Sequence, residues 1–253
     1  MISKIVSAFI SVNVFFASLF FISLLSPSVY ETFIHKAHSD KVFSISVISP
    51  EGVALSNGTG FYVENSKGIK YLLTNKHVCQ NETNLIKATD SSGNELKTKI
   101  IKMSDRYDLC AIEPVDEAGS FRLDDFHLIT PHYALGYPAD FPMQISSGYV
   151  RGRMIYTGFS QNTSKDFCDK IDGEHLISEI EFTMYGSLIK AKKESCKYKY
   201  ERLQTQIQIR GGSSGSPLIN SLGGIVGMIV SRDSLGWGFA IPQSYIVDFI
   251  EGI

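Results

Sequence analysis

The chain has 253 residues, 43% of them hydrophobic and 20% charged, and its 24 basic and 26 acidic side chains leave a formal net charge of -2. That balance is the mark of a folding globular protein, of one large domain or two joined halves, and excludes a disordered chain. With no basic excess, no zinc-finger spacing and no phosphate-binding Gly-rich loop, nucleic acid is not an expected partner.

Residues 5–25 form an uncharged stretch with only Ser7, Ser11, Asn13, Ser18 and Ser23 as polar residues, preceded by Lys4. Twenty-one such residues are enough to cross a bilayer as a helix. The alternative is a cleavable signal with an apolar core at 14–25 and small residues at Ser26-Pro27-Ser28. Residues 1–28 are therefore expected to be an N-terminal hydrophobic helix acting as signal peptide or membrane anchor, with membrane association through 5–25 and a linker over 29–41. Either reading gives an extracytoplasmic protein, membrane-anchored or secreted/periplasmic.

From residue 42 the texture is that of short strands. VFSISVIS (42–49) alternates. GTGFYVE (58–64) and GIKYLLTN (68–75) flank a turn at Asn65-Ser66-Lys67-Gly68. NLIKATD (84–90) and NELKTKIIKM (94–103) flank Ser91-Ser92-Gly93. These are hairpin signals. DLCAIEP (108–114) is a further strand, and 115–130 reads as a connection between halves. In the second half, HYALGYP (132–138) and QISSGYVRGRMIYTG (144–158) precede an irregular stretch, 159–200, expected to be an inserted, elaborated surface hairpin or flap. Its run Lys190-Ala191-Lys192-Lys193-Glu194 is expected to be a solvated face. TQIQI (205–209), SPLINS (216–221), GGIVGMIVS (223–231) and GWGFAIP (236–242) restore the strand pattern. Tyr245, Ile246, Phe249 and Ile250 then fall at helical spacing in the tail. Short strands without long alternating helices point to an all-β sandwich or barrel pair.

Four cysteines, Cys79, Cys110, Cys168 and Cys196, permit two disulfides in an exported chain. Cys168 and Cys196 bracket the insert and are expected to pair. Cys79 and Cys110 fall near each other in the first half, and their pairing depends on the direction of their Cβ atoms. Asn57, Asn81 and Asn162 stand in glycosylation patterns.

The segment Gly211-Gly212-Ser213-Ser214-Gly215-Ser216-Pro217 carries the chemistry. Glycines beside a serine let backbone N–H groups converge where an oxyanion would form. A serine nucleophile also needs a base and an orienting carboxylate. Of six histidines, His77 alone sits directly after a strongly apolar strand and inside a polar turn. Asp108 opens an apolar strand, which Asp105 does not. Ser213 and Ser216 are the competitors of Ser214.

In order along the chain, GTGFYV, TNKHV, DLCAI, ALGYP, SSGYVRG, GSSGSP and GWGFAIP resemble the landmarks of the trypsin-like serine peptidases, and within them the HtrA/Deg branch. The resemblance spans about residues 42–250. It implies an all-β, chymotrypsin-like double β-barrel, with a first barrel at 42–120 and a second at 121–253 that includes the insertion 159–200 and a short C-terminal helix. It implies His77 as general base, Asp108 as its orienter, Ser214 as nucleophile, and the N–H groups of Gly212 and Ser214 as oxyanion hole. The expected partner is a polypeptide substrate, and the mechanism requires no metal and no organic cofactor. The branch usually carries a PDZ domain after the protease, and this sequence ends at Ile253, too soon for one.

By the same resemblance, Gln208, Ile209, Ser231 and Trp237 are expected around the substrate pocket. A bulky Trp237 shortens it, and no carboxylate stands at Gln208 to meet a basic side chain. Cleavage is expected after small or medium aliphatic residues. The rival specificity, cleavage after Glu, is prompted by the Ser-Gly-Ser-Pro ending and by Arg210 and Arg232. Two rival functions are a catalytically inactive double barrel serving as a binding module and a cysteine-type hydrolase.

Overall fold

The computed structural model describes residues 27–80, 84–128, 130–160, 163–184 and 187–253. They divide into two compact units, one ending at Ser39 and the other spanning Asp40–Ile253. In the first unit, helix α1 (Pro27–His38) occupies most of what the sequence suggested as linker. Proline suits the first helical turn, where its missing N–H costs nothing, and no glycine interrupts the helix.

The second unit is built from two seven-stranded antiparallel sheets. The first contains β1 (Val42–Ile48), β2 (Ala54–Glu64), β3 (Lys70–Thr74), β4 (Leu85–Thr89), β5 (Glu95–Thr98), β6 (Ile100–Met103) and β7 (Cys110–Ile112), in the order β5-β4-β1-β2-β3-β7-β6. Its ends meet through the chain itself. Only Lys99 separates β5, which pairs with β4, from β6, which pairs with β7. Alternation places Phe43, Ile45 and Val47 of β1 inward, against Tyr62, Leu72, Ile86 and Ile112. The one-turn helix α2 (Lys76–Cys79) follows β3.

The second sheet contains β8 (Pro131–Gly136), β9 (Gln144–Ser160), β10 (Glu174–Met184), β11 (Ser187–Gln208), β12 (Pro217–Asn220), β13 (Ile225–Arg232) and β14 (Trp237–Pro242). Its order is β10-β11-β14-β13-β12-β8-β9, and a further β11–β9 pairing closes six of the strands into a ring. Val150, Leu203, Ile207, Leu218, Val226 and Ile229 fill it. The C-terminal helix, α4 (Gln243–Glu251), buries Ile246, Phe249 and Ile250, as their spacing predicts.

Between the sheets, Phe121 forms a parallel bridge with Val63 and Leu123 another with Ile225. The connection is thus stitched to both sides, with Phe121 N–H donating to the Tyr62 carbonyl and Asp124 N–H to that of Ile225. Of the two forms expected for the stretch 159–200, the structure has the hairpin. The stretch holds a short helix α3 (Lys165–Lys170) and then a long hairpin, β10 paired with β11 from Glu174↔Lys197 to Met184↔Ser187. Mixed polar composition hid the bounds of its strands, because this hairpin projects from the ring and needs no continuous apolar face. Of its basic run, Lys192, Lys193 and Glu194 are exposed.

Both disulfides are formed, Cys168–Cys196 and Cys79–Cys110. The first anchors α3 to the root of the hairpin, where Ile171 packs against it. Asn57 is exposed on β2, while Asn81 and Asn162 lie outside the described residues.

The expectation of membrane association is corrected. Among the described residues no helix is long and apolar enough to cross a membrane. The stretch 5–25, on which the expectation and the N-terminal hydrophobic helix rested, lies outside those residues.

His132 on β8 is wholly buried. Burial, the largest cause, pushes its pKa down to about 4 from 6.5. The folded protein therefore keeps this ring neutral while the unfolded chain protonates it. The contribution to stability is intact above pH 6.5 and is lost as pH falls from 6.5 toward 4, reaching on the order of 3 kcal/mol. Urea titrations across that range are expected to show this decline, and His132→Phe is expected to flatten it. An unchanged slope in the variant would place the acid sensitivity elsewhere.

Candidate active site

β3 ends in the buried pair Thr74-Asn75, and the chain turns at once into α2, which presents His77 with its side chain 49% exposed. Asp108 precedes β7, the strand next to β3. Its carboxylate grips His77 twice: Oδ1 accepts the backbone N–H at 2.8 Å, and Oδ2 lies 2.6 Å from ring Nδ1. Holding both the main chain and the ring fixes the imidazole's direction and directs its other nitrogen, Nε2, away from the carboxylate. Asn75 supports the grip by donating from its side chain to the Asp108 carbonyl at 3.0 Å. The Cys79–Cys110 bridge lies two residues beyond each partner, so a covalent bond joins the turn carrying His77 to the strand led by Asp108. Asp105 instead pairs with Lys170 at 2.9 Å.

Ser214 lies in the loop between β11 and β12. Ser213 N–H donates to the Arg210 carbonyl at 3.1 Å, closing a four-residue turn with Gly211 and Gly212 at its centre. Of these two, Gly212 alone has a positive φ, +85°, which makes the turn type II. A Cβ at Gly212 would collide with the Tyr137 carbonyl oxygen. The Gly211 carbonyl accepts the Ala139 N–H at 2.6 Å. Because a trans peptide points its C=O and N–H in opposite directions, this anchor turns the Gly212 N–H the other way. Ala139 serves from the left-handed region, φ 49° and ψ 42°, a conformation that costs a non-glycine residue about 1 kcal/mol or more. Of the three serines, Ser213 and Ser216 are buried and Ser214 is half-exposed.

One residue of the first barrel organises this loop. Thr59 on β2, fully buried, donates its N–H to the Ser214 carbonyl at 2.8 Å and its hydroxyl to the Gly212 carbonyl at 2.9 Å. The same hydroxyl accepts the Tyr137 N–H at 3.0 Å, and the Thr59 carbonyl accepts the Thr74 hydroxyl at 2.7 Å. Gly215, at φ +87°, passes so close to that carbonyl that no Cβ would fit. Thr74 is two residues after Leu72 and three before His77, so the network links the histidine turn to the serine loop. Next to Thr59, Gly58 lies between the Val78 side chain and the Ser214 carbonyl.

A cleft of about 530 Å³ opens beside His77 and Asp108, walled by β9, β11, β13 and β14. Ser231 lines it. The other residues expected around the substrate pocket lie apart from it. Gln208 and Trp237 face each other across the β11–β14 ladder, with Trp237 37% exposed, and Ile209 is packed into the second core near Gly238. Among the described residues no cluster of three or more His, Cys, Asp or Glu could hold a metal ion.

The trypsin-like peptidase domain family matches residues 58–228, two thirds of the chain. The chain belongs to this family. It is related to the HtrA/Deg proteases. It is 27% identical over 240 residues to the Serine protease Do-like HtrA of Bacillus subtilis (strain 168), covering 90% of this chain and 46% of that protein. To Serine protease HTRA3 of Mus musculus it is 24% identical over 206 residues, covering 79% and 38%. The chain thus spans less than half the length of these relatives. Among solved structures, the Rv3671c protease of M. tuberculosis in its active form superposes with a TM-score of 0.63 at 15% identity, over 88% of this chain and 85% of that one. Its inactive form gives 0.62 at 15% identity, over 90% and 96%. These two likenesses establish the double-barrel fold.

Sequence reasoning passed over Thr59 and Ala139. The first lies inside the GTGFYV motif, where a threonine between glycines was the available signal. The second carries none, since alanine is not a residue that left-handed backbone favours. Thr59→Val keeps the shape of the side chain and leaves the Tyr137 N–H and the Gly212 carbonyl without that partner. Unfolding measurements are expected to show a loss of about 2–3 kcal/mol, and Thr59→Ser is expected to recover most of it. A fully stable Thr59→Val protein would show that the hydroxyl does not hold the loop.

Proposed function

We propose that the chain is a serine endopeptidase that hydrolyses peptide bonds through Ser214, His77 and Asp108. The observation that carries this reading is the pair of hydrogen bonds that Asp108 accepts from His77, in the family's chain order and with the half-exposed Ser214 in its glycine turn. His77 Nε2 takes the Ser214 hydroxyl proton as Oγ attacks the substrate carbonyl, forming a C–O bond and a negative carbonyl oxygen. The N–H groups of Gly212 and Ser214 receive that oxygen. The protonated imidazole is stabilised by Asp108 and passes its proton to the leaving amine as the C–N bond breaks. Water then attacks the acyl-enzyme with His77 again as base, releasing the acid and restoring the serine.

The proposed pocket for the residue before the cut draws on Gln208, Ile209, Ser231 and Trp237, and the proposed preference is for small or medium aliphatic side chains. Arg210 and Arg232 support the rival preference for Glu in charge, but the glutamyl endopeptidases, which the Ser-Gly-Ser-Pro ending resembles, rely on a histidine in the strand after the nucleophile, and no histidine follows His175. We place the protein in an extracytoplasmic compartment, supported by two disulfides, which persist in oxidising surroundings.

A serine-directed fluorophosphonate is expected to label Ser214 in the full chain, and a peptide library is expected to be cleaved. Ser214→Ala should lose labelling, and Ser214→Ala and Asp108→Asn should each lower kcat by roughly 10⁴-fold or more. A folded protein that neither cleaves the library nor takes the label would be the inactive binding module, whereas inhibition by thiol reagents alone would mark the cysteine-type chemistry.

A further inference from the structure

The cleft beside His77 holds a buried guanidinium without an ion-pair partner among the described residues. Arg202 on β11 is only 7% exposed and lines the cleft together with Tyr156, Ser231, Arg232, His77 and Asp108. Its guanidinium donates to the Tyr200 hydroxyl from both Nε and Nη2 and to the Ser231 hydroxyl from Nη1 at 3.2 Å. It also lies 3.4 Å from the centre of the Tyr156 ring. All of these partners are neutral. Burial, its largest cause, pushes the Tyr200 hydroxyl up to about 12, so the phenol stays uncharged at ordinary pH. Among the described residues no carboxylate comes within 4.0 Å of Arg202. Asp108 shares the cleft, but its oxygens are directed to His77 and it makes no ion pair with the guanidinium, so the two arginines of the cleft face a single carboxylate. Arg232 adds a second positive charge, exposed at the end of β13. A buried guanidinium without a counter-charge is expensive, and the natural relief is an anion that arrives with a ligand.

The sheet shows where that ligand runs. β12 pairs with β13 no further than Met228, and β14 pairs with Ser231 and Arg232 on the opposite edge. Residues 230–232 therefore keep one edge without a strand partner among the described residues, a place for an extended peptide to add. β13 leaves the serine loop at Ile229, which hydrogen-bonds Gly215 and Ser216, and runs outward to Arg232. A peptide added antiparallel, as in every ladder of both sheets, runs inward toward Ser214. Its residues along 230–232 therefore precede the bond at the serine.

We infer that Arg202, with Arg232 at the rim, forms an anion-recognising subsite that selects Asp or Glu one to three residues upstream of the residue whose carbonyl is attacked. The subsite rests on the peptidase reading above. It adjoins the proposed aliphatic pocket and shares Ser231 with it, while Gln208, Ile209 and Trp237 do not line this cleft. The guanidinium's planar fork suits a carboxylate, and Tyr156 and Tyr200 hold it in place without neutralising it.

The test uses the full chain and paired peptides that differ only by Glu or Gln at each upstream position. At one of these positions kcat/KM is expected to be about tenfold higher for Glu, with the ratio shrinking at high salt. In Arg202→Gln the Glu/Gln ratio should fall to near one, and in Arg202→Lys it should be partly kept. Because the ratio is internal to each variant, a general loss of activity does not imitate the effect. Should the variants fail to fold, the wild-type ratio and its salt dependence decide alone. Cleavage of both peptides with a ratio near one at every upstream position would overturn the subsite and leave the peptidase reading standing. If nothing is cleaved and Ser214 takes no label, the peptidase reading falls. Calorimetric binding of the same pairs then decides the subsite, and equal affinities overturn it.

Discussion

Much of this molecule hangs on Thr59. A strand of the first barrel supplies, at one buried residue, three hydrogen bonds to the second: to the carbonyls of Ser214 and Gly212 and from the N–H of Tyr137. The two cores are built from different residues, one around Phe43, Tyr62 and Leu72 and the other around Leu203, Leu218 and Ile229. Packing alone does not align such cores to within an ångström, because apolar contact is not directional. Hydrogen bonds are, and in a fully buried setting each lost partner costs the full desolvation of the group left behind. Thr59 thus fixes the serine loop relative to the strand that runs, through Thr74, into the histidine turn.

Around that link the protein uses a different device for each half of the site. The histidine side is secured covalently, since the Cys79–Cys110 bridge spans 31 residues of sequence and closes a loop whose freedom in the unfolded chain is worth about 3–4 kcal/mol. The serine side is secured by backbone conformation. Gly212 and Gly215 take positive φ where neighbouring carbonyls leave no room for a side chain, and Ala139 accepts a left-handed conformation while its N–H holds the Gly211 carbonyl. Strain in Ala139 is tolerable because Pro138 and the hydrogen bond to Gly211 determine its place. A site divided in this way depends on a disulfide for one half and on two glycines and a left-handed alanine for the other.

β11 joins both parts of the second barrel. Its first portion pairs with β10 in the projecting hairpin, which Cys168–Cys196 ties to α3, and its later portion closes the ring against β9 and β14. Tyr198 and Tyr200 stack at 5.8 Å, and Tyr200 meets Tyr156 edge-on at 5.2 Å. The aromatic wall they form carries Arg202 into the interior, where its stem is covered and its charge is kept.

The sequence by itself determined the β texture, the hairpins at Gly68 and Gly93, the C-terminal helix and the order His77, Asp108, Ser214. These are local properties: period-two alternation, glycine in turns, helical spacing of Tyr245, Ile246, Phe249 and Ile250, and a polar residue set at the end of an apolar strand. The surface hairpin within 159–200 was legible only in outline, without strand bounds or register, because strands that leave the barrel lose the apolar alternation that marks a buried face. Nothing in Lys-Tyr-Lys-Tyr-Glu-Arg sets Arg202 apart, and its burial follows from the meeting of β9, β11 and β13, which are distant in sequence. The same holds for Thr59 and Gly212, 153 residues apart, and for Ala139 and Gly211. Only the tertiary structure decided these contacts, because each joins strands or loops whose approach is set by the closure of two sheets rather than by any pattern along the chain.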